Sequence, residues 1–261
     1  MTDIFDLKEK CVFITGAAGL LGYMHAEAIL DADGTVVLSD CDKISLQKAA
    51  NKLKEKYKSE KIFSVVMDVT DKQSIIDAAQ QFPRVNILIN NAAKNPKVSS
   101  DGKVAGSFET MTLEEWRDGI STTLDGTFLC SQVFANKFLK MGQGNIINIS
   151  SDLGVIAPDQ RIYSDGKKPI TYSASKFGVV GMTKYLATYF ADKNIRVNCL
   201  SPGGVRTQQP EDFVERLTNL IPMGRMAKKD DYKGAIIFLC SDASSYMTGA
   251  NLIIDGGRTV W

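Results

Sequence analysis

The sequence predicts an α/β fold, a doubly wound parallel sheet of about seven strands with helices on both faces. Three observations predict it. Short β-branched or apolar runs alternate with helix-length amphipathic segments along all 261 residues. The runs are almost continuously apolar, as strands covered on both faces require. Strand-then-helix repetition implies right-handed crossovers and hence a parallel sheet. The strand candidates, in order, are residues 10–15, 35–39, 62–67, 85–89, 144–149, 195–200 and 251–254. Helical patterns between them include 45–57, 73–81, 124–140, 172–191 and 230–240. No linker, repeat or low-complexity tract interrupts the alternation, so 1–261 reads as one domain. Segments 94–108, 152–170 and 204–225 follow strands at the sheet's carboxyl edge, where open α/β sheets take their ligands.

Composition narrows the function classes. The chain is 44% hydrophobic and 23% charged, ordinary for a globular protein. At this length it buries roughly 70–75% of its unfolded surface and needs no metal or disulfide staple. Lys+Arg 31 against Asp+Glu 30 leaves a charge of +1, without the basic excess of a nucleic-acid or membrane-surface protein. Apolar stretches fall far short of the ~20 residues that span a bilayer, and the acidic start lacks a signal-peptide pattern. Five scattered cysteines with no CxxC pair, and His25 as the one histidine, give no zinc site and no metal centre. Cys11, Cys199 and Cys240 lie in apolar runs and read as small buried hydrophobes in a reducing cytoplasm.

Thr15-Gly-Ala-Ala-Gly-Leu-Leu-Gly22 follows the first strand and opens the first helix. Glycines there permit positive φ and close approach of a pyrophosphate to a helix amino end, which makes the sheet Rossmann-type. Asp40 ends the second strand, 18 residues past Gly22. A carboxylate at that place accepts ribose hydroxyls and repels a 2′-phosphate, favouring NAD over NADP; the bland reading of Asp40 is a solvated strand end.

Tyr172-Ser-Ala-Ser-Lys176 places Tyr172 and Lys176 on one helix face. A nearby ammonium stabilises a phenolate, so Lys176 is expected to lower the tyrosine pKa and make Tyr172 a usable base. Ser151 ends the fifth strand, where its hydroxyl can hold a substrate oxygen in line with Tyr172. A lone tyrosine–lysine pair at this spacing is more often a surface pairing.

Taken together these motifs resemble the short-chain dehydrogenase/reductase family, in its single-domain branch. The resemblance runs from about Lys8 to Gly257. It adds Asp68-Val69, Asn90-Asn-Ala-Ala93, Ser201-Pro-Gly-Gly-Val205 and Thr248 through Asp255-Gly-Gly257 to the motifs above. It implies an NAD(P)-dependent oxidoreductase acting on a carbinol or carbonyl carbon. Ser151, Tyr172 and Lys176 would be catalytic, with Tyr172 and Lys176 also cofactor-binding and Lys176 holding the nicotinamide ribose. Gly16, Gly19, Leu21, Gly22, Asp40, Asp68, Val69, Asn90 and Ala92 would line the cofactor, with Pro202, Gly203, Val205 and Thr207 at its nicotinamide end. Strand-end capping is an alternative role for Asn90. The resemblance also implies a homotetramer or homodimer, built on the Tyr172 helix and the last strand; Val260-Trp261 suits either an intersubunit or an internal contact.

Four departures from the family pattern matter. Leu20 stands where the single-domain branch has a glycine, and the Gly19 spacing resembles the longer epimerase and dehydratase branch. Ala93 replaces a glycine. Thr123 replaces the helix asparagine associated with a water-linked proton relay. Ser151 and Tyr172 are 21 residues apart, where the family has about a dozen. The insertion spans 159–169 and borders the substrate. Arg161 within it and Arg206 on the facing loop are candidates for an anionic substrate group, as is Asp152 for substrate contact. Lys167 and Lys168 could meet the same group, but read more readily as solvated loop residues.

A polar segment after Ser201-Pro-Gly-Gly-Val205 suits a polyhydroxylated, anionic substrate such as a sugar phosphate or nucleotide sugar. In this segment and in its insertion the chain is similar to oxidoreductases of bacterial surface-sugar pathways, such as those of flagellin modification and legionaminic acid synthesis. Two other readings stay open: a nucleotide-sugar epimerase with retained NAD, and a non-catalytic NAD-binding sensor or assembly protein. His25 and Trp116 read as packing residues.

Overall fold

The computed structural model describes residues 4–95, 108–163 and 166–261. Seven strands, β1 (Cys11–Thr15), β2 (Thr35–Asp40), β3 (Ile62–Val66), β4 (Ile87–Asn90), β5 (Gly144–Ile149), β6 (Ile195–Pro202) and β7 (Asn251–Ile254), form one sheet. Its order is β3-β2-β1-β4-β5-β6-β7, and every neighbouring pair is parallel. Side chains alternate across the sheet, as the two-residue strand period demands. Val12 and Ile14 of β1 join one core with Ile29 of α1 (Leu20–Asp31), Leu53 of α2 (Lys43–Lys56) and Ile236 of α8 (Lys233–Cys240). Phe13, between them, joins the opposite core with Ile75 of α3 (Lys72–Gln81) and Phe134 of α5 (Gly126–Met141). The Phe13 and Phe134 rings stand 4.8 Å apart, and truncating either to alanine is expected to cost about 3–5 kcal/mol.

The expectation of strands covered on both faces holds for β1, β2, β4, β5 and β6 but not at the edges. Phe63 and Val66 of β3, and Ile253 of β7, are exposed; these are the two terminal strands of the sheet, with no strand beyond them among the described residues. β6 runs two residues past its apolar stretch, since Ser201 and Pro202 pair with Ile253 and Ile254. The helix expected at 124–140 starts as a π turn, Ser121–Asp125, between α4 (Leu113–Ile120) and α5. There the Thr127 hydroxyl donates to the Thr123 carbonyl at 2.6 Å, and such turns cluster near functional sites.

The helix α6 (Ile170–Tyr189) begins directly after Pro169, whose fixed φ suits a helix entry. It buries Thr171, Ser175, Val179, Thr183 and Ala187, a stripe of small residues at steps of four that brings its backbone close to the sheet. Tyr172 and Lys176 occupy the adjoining row. Among the described residues no helix is long and apolar enough to cross a membrane. Of the three expected substrate segments, 94–108 lies outside the described residues from 96 to 107.

Candidate active site

The carboxyl ends of β1, β2, β4, β5 and β6 open into one cavity of about 550 Å³. At one end the chain turns at Gly16, whose φ is 63° and whose Cβ would lie 2.8 Å from the Ala92 Cα. Both conformation and space require glycine there. Gly22 has another reason: a Cβ would come within 2.3 Å of the Gly16 carbonyl, so it packs beneath the loop and does not line the cavity. Gly19, Leu20 and Leu21 do line it, which sets the positively polarised amino end of α1 against the cavity. Asp40 lies beside them, its carboxylate held by the Ala18 N–H at 3.2 Å and the Asp42 N–H at 3.1 Å.

These residues fit a nicotinamide dinucleotide. The cradle is one that a side chain at Gly16 would fill, a helix amino end suits the pyrophosphate, and Asp40 offers acceptors to ribose hydroxyls. Sequence reasoning chose Asn90 and passed over Asn91. Asn90 is buried and donates to Ser131 Oγ and Asn148 Oδ1 at 3.0 and 2.9 Å; Asn148 in turn donates to Thr183 Oγ1 at 2.9 Å. Asn91 lines the cavity and ties down the glycine loop through the Thr15 and Gly16 carbonyls, both at 3.0 Å. Asp68 caps its own turn by accepting from Thr70. Neither Asp68 nor the buried Val69 lines the cavity, whereas Ala92, Pro202, Gly203, Val205 and Thr207 do.

Ser151, Tyr172 and Lys176 meet at the other end. The Ser151 hydroxyl donates to Asp152 Oδ1 at 2.7 Å and accepts from the Leu153 N–H at 3.2 Å. Burial pushes the Tyr172 phenol above its ordinary value; the nearby Ser151 hydroxyl lowers it and the Asp152 charge raises it. The expected lowering by Lys176 is therefore not met in the protein alone. The ammonium lies 5.7 Å from the ring centroid and donates to the Ile149 carbonyl at 2.9 Å. Burial also lowers Lys176 itself, to about 8. Thr123, in place of the family asparagine, is buried and accepts the Lys94 N–H at 3.1 Å.

The insertion is a cavity wall. Ile162 packs with Leu217 of α7 (Glu211–Thr218) and with Met226, and the Tyr163 ring lies 5.5 Å from that of Phe213. Arg161 does not reach the cavity: its exposed guanidinium is bidentate on Asp159 at 2.9 and 2.7 Å. Arg206 pairs with Glu211 outside the lining. Lys168, read from sequence as solvated, is half-buried and lines the cavity, with Nζ 3.9 Å from the Tyr172 ring centroid. Arg258 was missed. It lines the cavity and pairs with Asp152 in a buried contact, a pairing that 106 residues of separation conceal in the sequence.

The family model described as Enoyl-(Acyl carrier protein) reductase matches residues 16–259. The chain is 33% identical over 263 residues to D-threitol dehydrogenase of Mycolicibacterium smegmatis, covering 98% of this chain and 95% of that one. It is 31% identical over 257 residues to post-translational flagellin modification protein A of Campylobacter coli, covering 96% and 98%. Among solved structures, a gluconate 5-dehydrogenase from Burkholderia cenocepacia in complex with NADP and tartrate is similar at TM-score 0.86 and 27% identity, covering 99% and 98%. A short-chain dehydrogenase from Leptospira borgpetersenii with bound NAD+ is similar at TM-score 0.86 and 34% identity, covering 99% and 96%. A seven-stranded parallel sheet flanked by helices, a glycine cradle and a family match over nearly its full length lead to one conclusion: the chain belongs to the short-chain dehydrogenase/reductase family and is an NAD(P)-dependent oxidoreductase of alcohols and ketones.

Proposed function

We propose that this chain is an NAD-dependent dehydrogenase acting on a secondary hydroxyl of a polyhydroxylated, sugar-derived substrate. The observation that carries the reading is the meeting of Ser151, Tyr172 and Lys176 in one cavity that Gly16, Gly19 and Asp40 also line. A bound nicotinamide dinucleotide would supply the hydride acceptor or donor. Gly16, Gly19, Leu21, Asp40, Asn91 and Ala92 would hold it, with Pro202, Gly203, Val205 and Thr207 toward its reactive end. Asp40 supports NAD over NADP, since a carboxylate repels a 2′-phosphate.

Ser151 would fix the substrate oxygen and Tyr172 would exchange its proton. The raised phenol pKa keeps Tyr172 protonated at neutral pH, the state that protonates a carbonyl oxygen. The reverse reaction needs a phenolate, which Lys176, one helical turn away, would stabilise. Asp152, through its hydrogen bond, orients the Ser151 hydroxyl. Polar cavity residues such as Thr207 and Gln209 suit a polyol or a sugar derivative, and the threitol dehydrogenase relative favours that class. The flagellin-modification relative supports a sugar phosphate or nucleotide sugar of bacterial surface-glycan synthesis as the cellular form. The catalytic assembly would be a tetramer or dimer through α6 and β7.

The test is NADH or NADPH formation from separate pools of alditols, aldonates, sugar phosphates, nucleotide sugars, steroids and short alcohols. NADH formation from a polyhydroxylated pool is expected. Turnover confined to steroids or short alcohols would contradict the reading.

A further inference from the structure

Fixed charges do not cancel around Tyr172. Among the described residues lining the cavity, Asp40 and Asp152 are the acids, and Asp40 belongs to the glycine-loop end. Asp152 gives one carboxylate oxygen to Arg258 and the other to the Ser151 hydroxyl and the Leu153 N–H. Lys168 is left with neutral partners: Asn95 Oδ1 at 2.6 Å and the face of the Tyr172 ring. Lys176 has a backbone carbonyl. Three cations, Lys168, Lys176 and Arg258, thus share this end of the cavity with one carboxylate.

The position of Lys168 is built. Gln160 grips its backbone from both sides, accepting its N–H at 2.8 Å and donating to its carbonyl at 3.1 Å. The insertion carrying Gln160 is anchored in turn by Arg216, whose Nε donates to the Ile162 carbonyl at 2.9 Å. Lys168 lies two residues before the first residue of the 20-residue helix α6, by an amino end whose dipole disfavours a cation. Burial lowers its pKa to about 8, a further cost of holding it there. An ammonium has three protons to donate, and one given to Asn95 leaves others for a ligand. A negative group is what would offset each of these costs.

We propose that Lys168 is a specificity-determining residue whose ammonium receives a compact oxyanion, a carboxylate or a phosphate, carried by the substrate near the carbinol that meets Tyr172. The inference rests on the dehydrogenase reading of the same site and names the substrate class within it. Arg258 adds positive potential but is bonded to Asp152, and Lys176 is held by the Ile149 carbonyl, which leaves Lys168, lying against the Tyr172 ring, as the one of the three placed to receive a substrate anion.

The test is calorimetric titration of the wild type, Lys168→Met and Lys168→Arg with D-glucitol, D-gluconate and D-glucitol 6-phosphate, NADH being present throughout. The wild type is expected to bind one of the anions at least about ten-fold more tightly than D-glucitol. Lys168→Met is expected to abolish that preference with D-glucitol affinity within about two-fold of wild type, and Lys168→Arg to keep most of it. Which anion is preferred separates a carboxylate from a phosphate. NADH fluorescence titration of each variant checks that the fold is intact. Equal affinities in the wild type, no binding of either anion, or a preference that survives in Lys168→Met would overturn the inference. Failure of the dehydrogenase reading looks different: a Lys168-dependent anion preference with no NAD-linked turnover of any pool.

Discussion

Arg258 and Asp152 form an ion pair in which both side chains are buried, and it links the C-terminal segment to the residue beside Ser151. Asp152 spends its other oxygen on the Ser151 hydroxyl, so a charge near the end of the chain sets the orientation of a catalytic candidate. Breaking a buried pair from one side leaves an uncompensated charge, which costs far more than the pair is worth. Arg258→Met is therefore expected to lose about 3–5 kcal/mol of stability. Adding Asp152→Leu should recover much of that loss without restoring activity. Urea titrations of both variants, read beside turnover, check this.

Asp40 sets cofactor choice in this account. Its carboxylate is already oriented by two backbone N–H groups, so it acts as a fixed negative charge. Asp40→Ser is expected to reduce the NAD-over-NADP ratio of kcat/KM by at least about ten-fold. An unchanged ratio would place the discrimination elsewhere.

His25 offers a clean pH experiment. It is buried without a partner for Nε2, and burial lowers its pKa from 6.5 to about 3. Between those values the unfolded chain binds a proton that the native protein refuses. Its contribution is thus complete above pH 6.5 and is lost as pH falls toward about 3, at up to about 1.4 kcal/mol per pH unit. His25→Leu should flatten the acid limb of the stability curve. As the one histidine of the chain, it gives a single pair of imidazole C–H resonances, which should not titrate down to the pH at which the protein unfolds.

Phe177, Tyr185 and Tyr189 project from α6 and Phe128 from α5, all exposed in the single chain. The Tyr185 and Tyr189 rings stack at 6.0 Å. An apolar patch of this kind marks a contact surface, so light scattering should find an oligomer. Tyr185→Glu with Phe177→Glu should shift it toward smaller species.

What could be read from the sequence was local. Continuous apolar runs gave the strands, and the i, i+4 spacing put Tyr172 and Lys176 on one face. What could not be read was long-range pairing or side-chain direction. Lys168 and Arg258 look like surface charges until the fold brings Asn95 and Asp152 to them. Asn90 and Asn91 are indistinguishable in sequence, and only the direction of the chain leaving β4 sends one into the sheet and the other to the glycine loop. Arg161 looked placed for a substrate, but Asp159, two residues away, captures it. The π turn before α5 has no signature in hydrophobic periodicity.

The proposed reaction is hydride transfer from a substrate carbinol with Tyr172 handling the proton. Its most direct test uses the substrate found in the pooled assay, deuterated at the reacting carbon, with NAD and either the wild type or Tyr172→Phe. The account predicts deuterium on the nicotinamide ring of NADH released by the wild type. A rate about 10²–10⁴-fold lower is expected in Tyr172→Phe at saturating NAD. Deuterium returned to an inverted carbon with no NADH released, or full transfer by Tyr172→Phe, would contradict it.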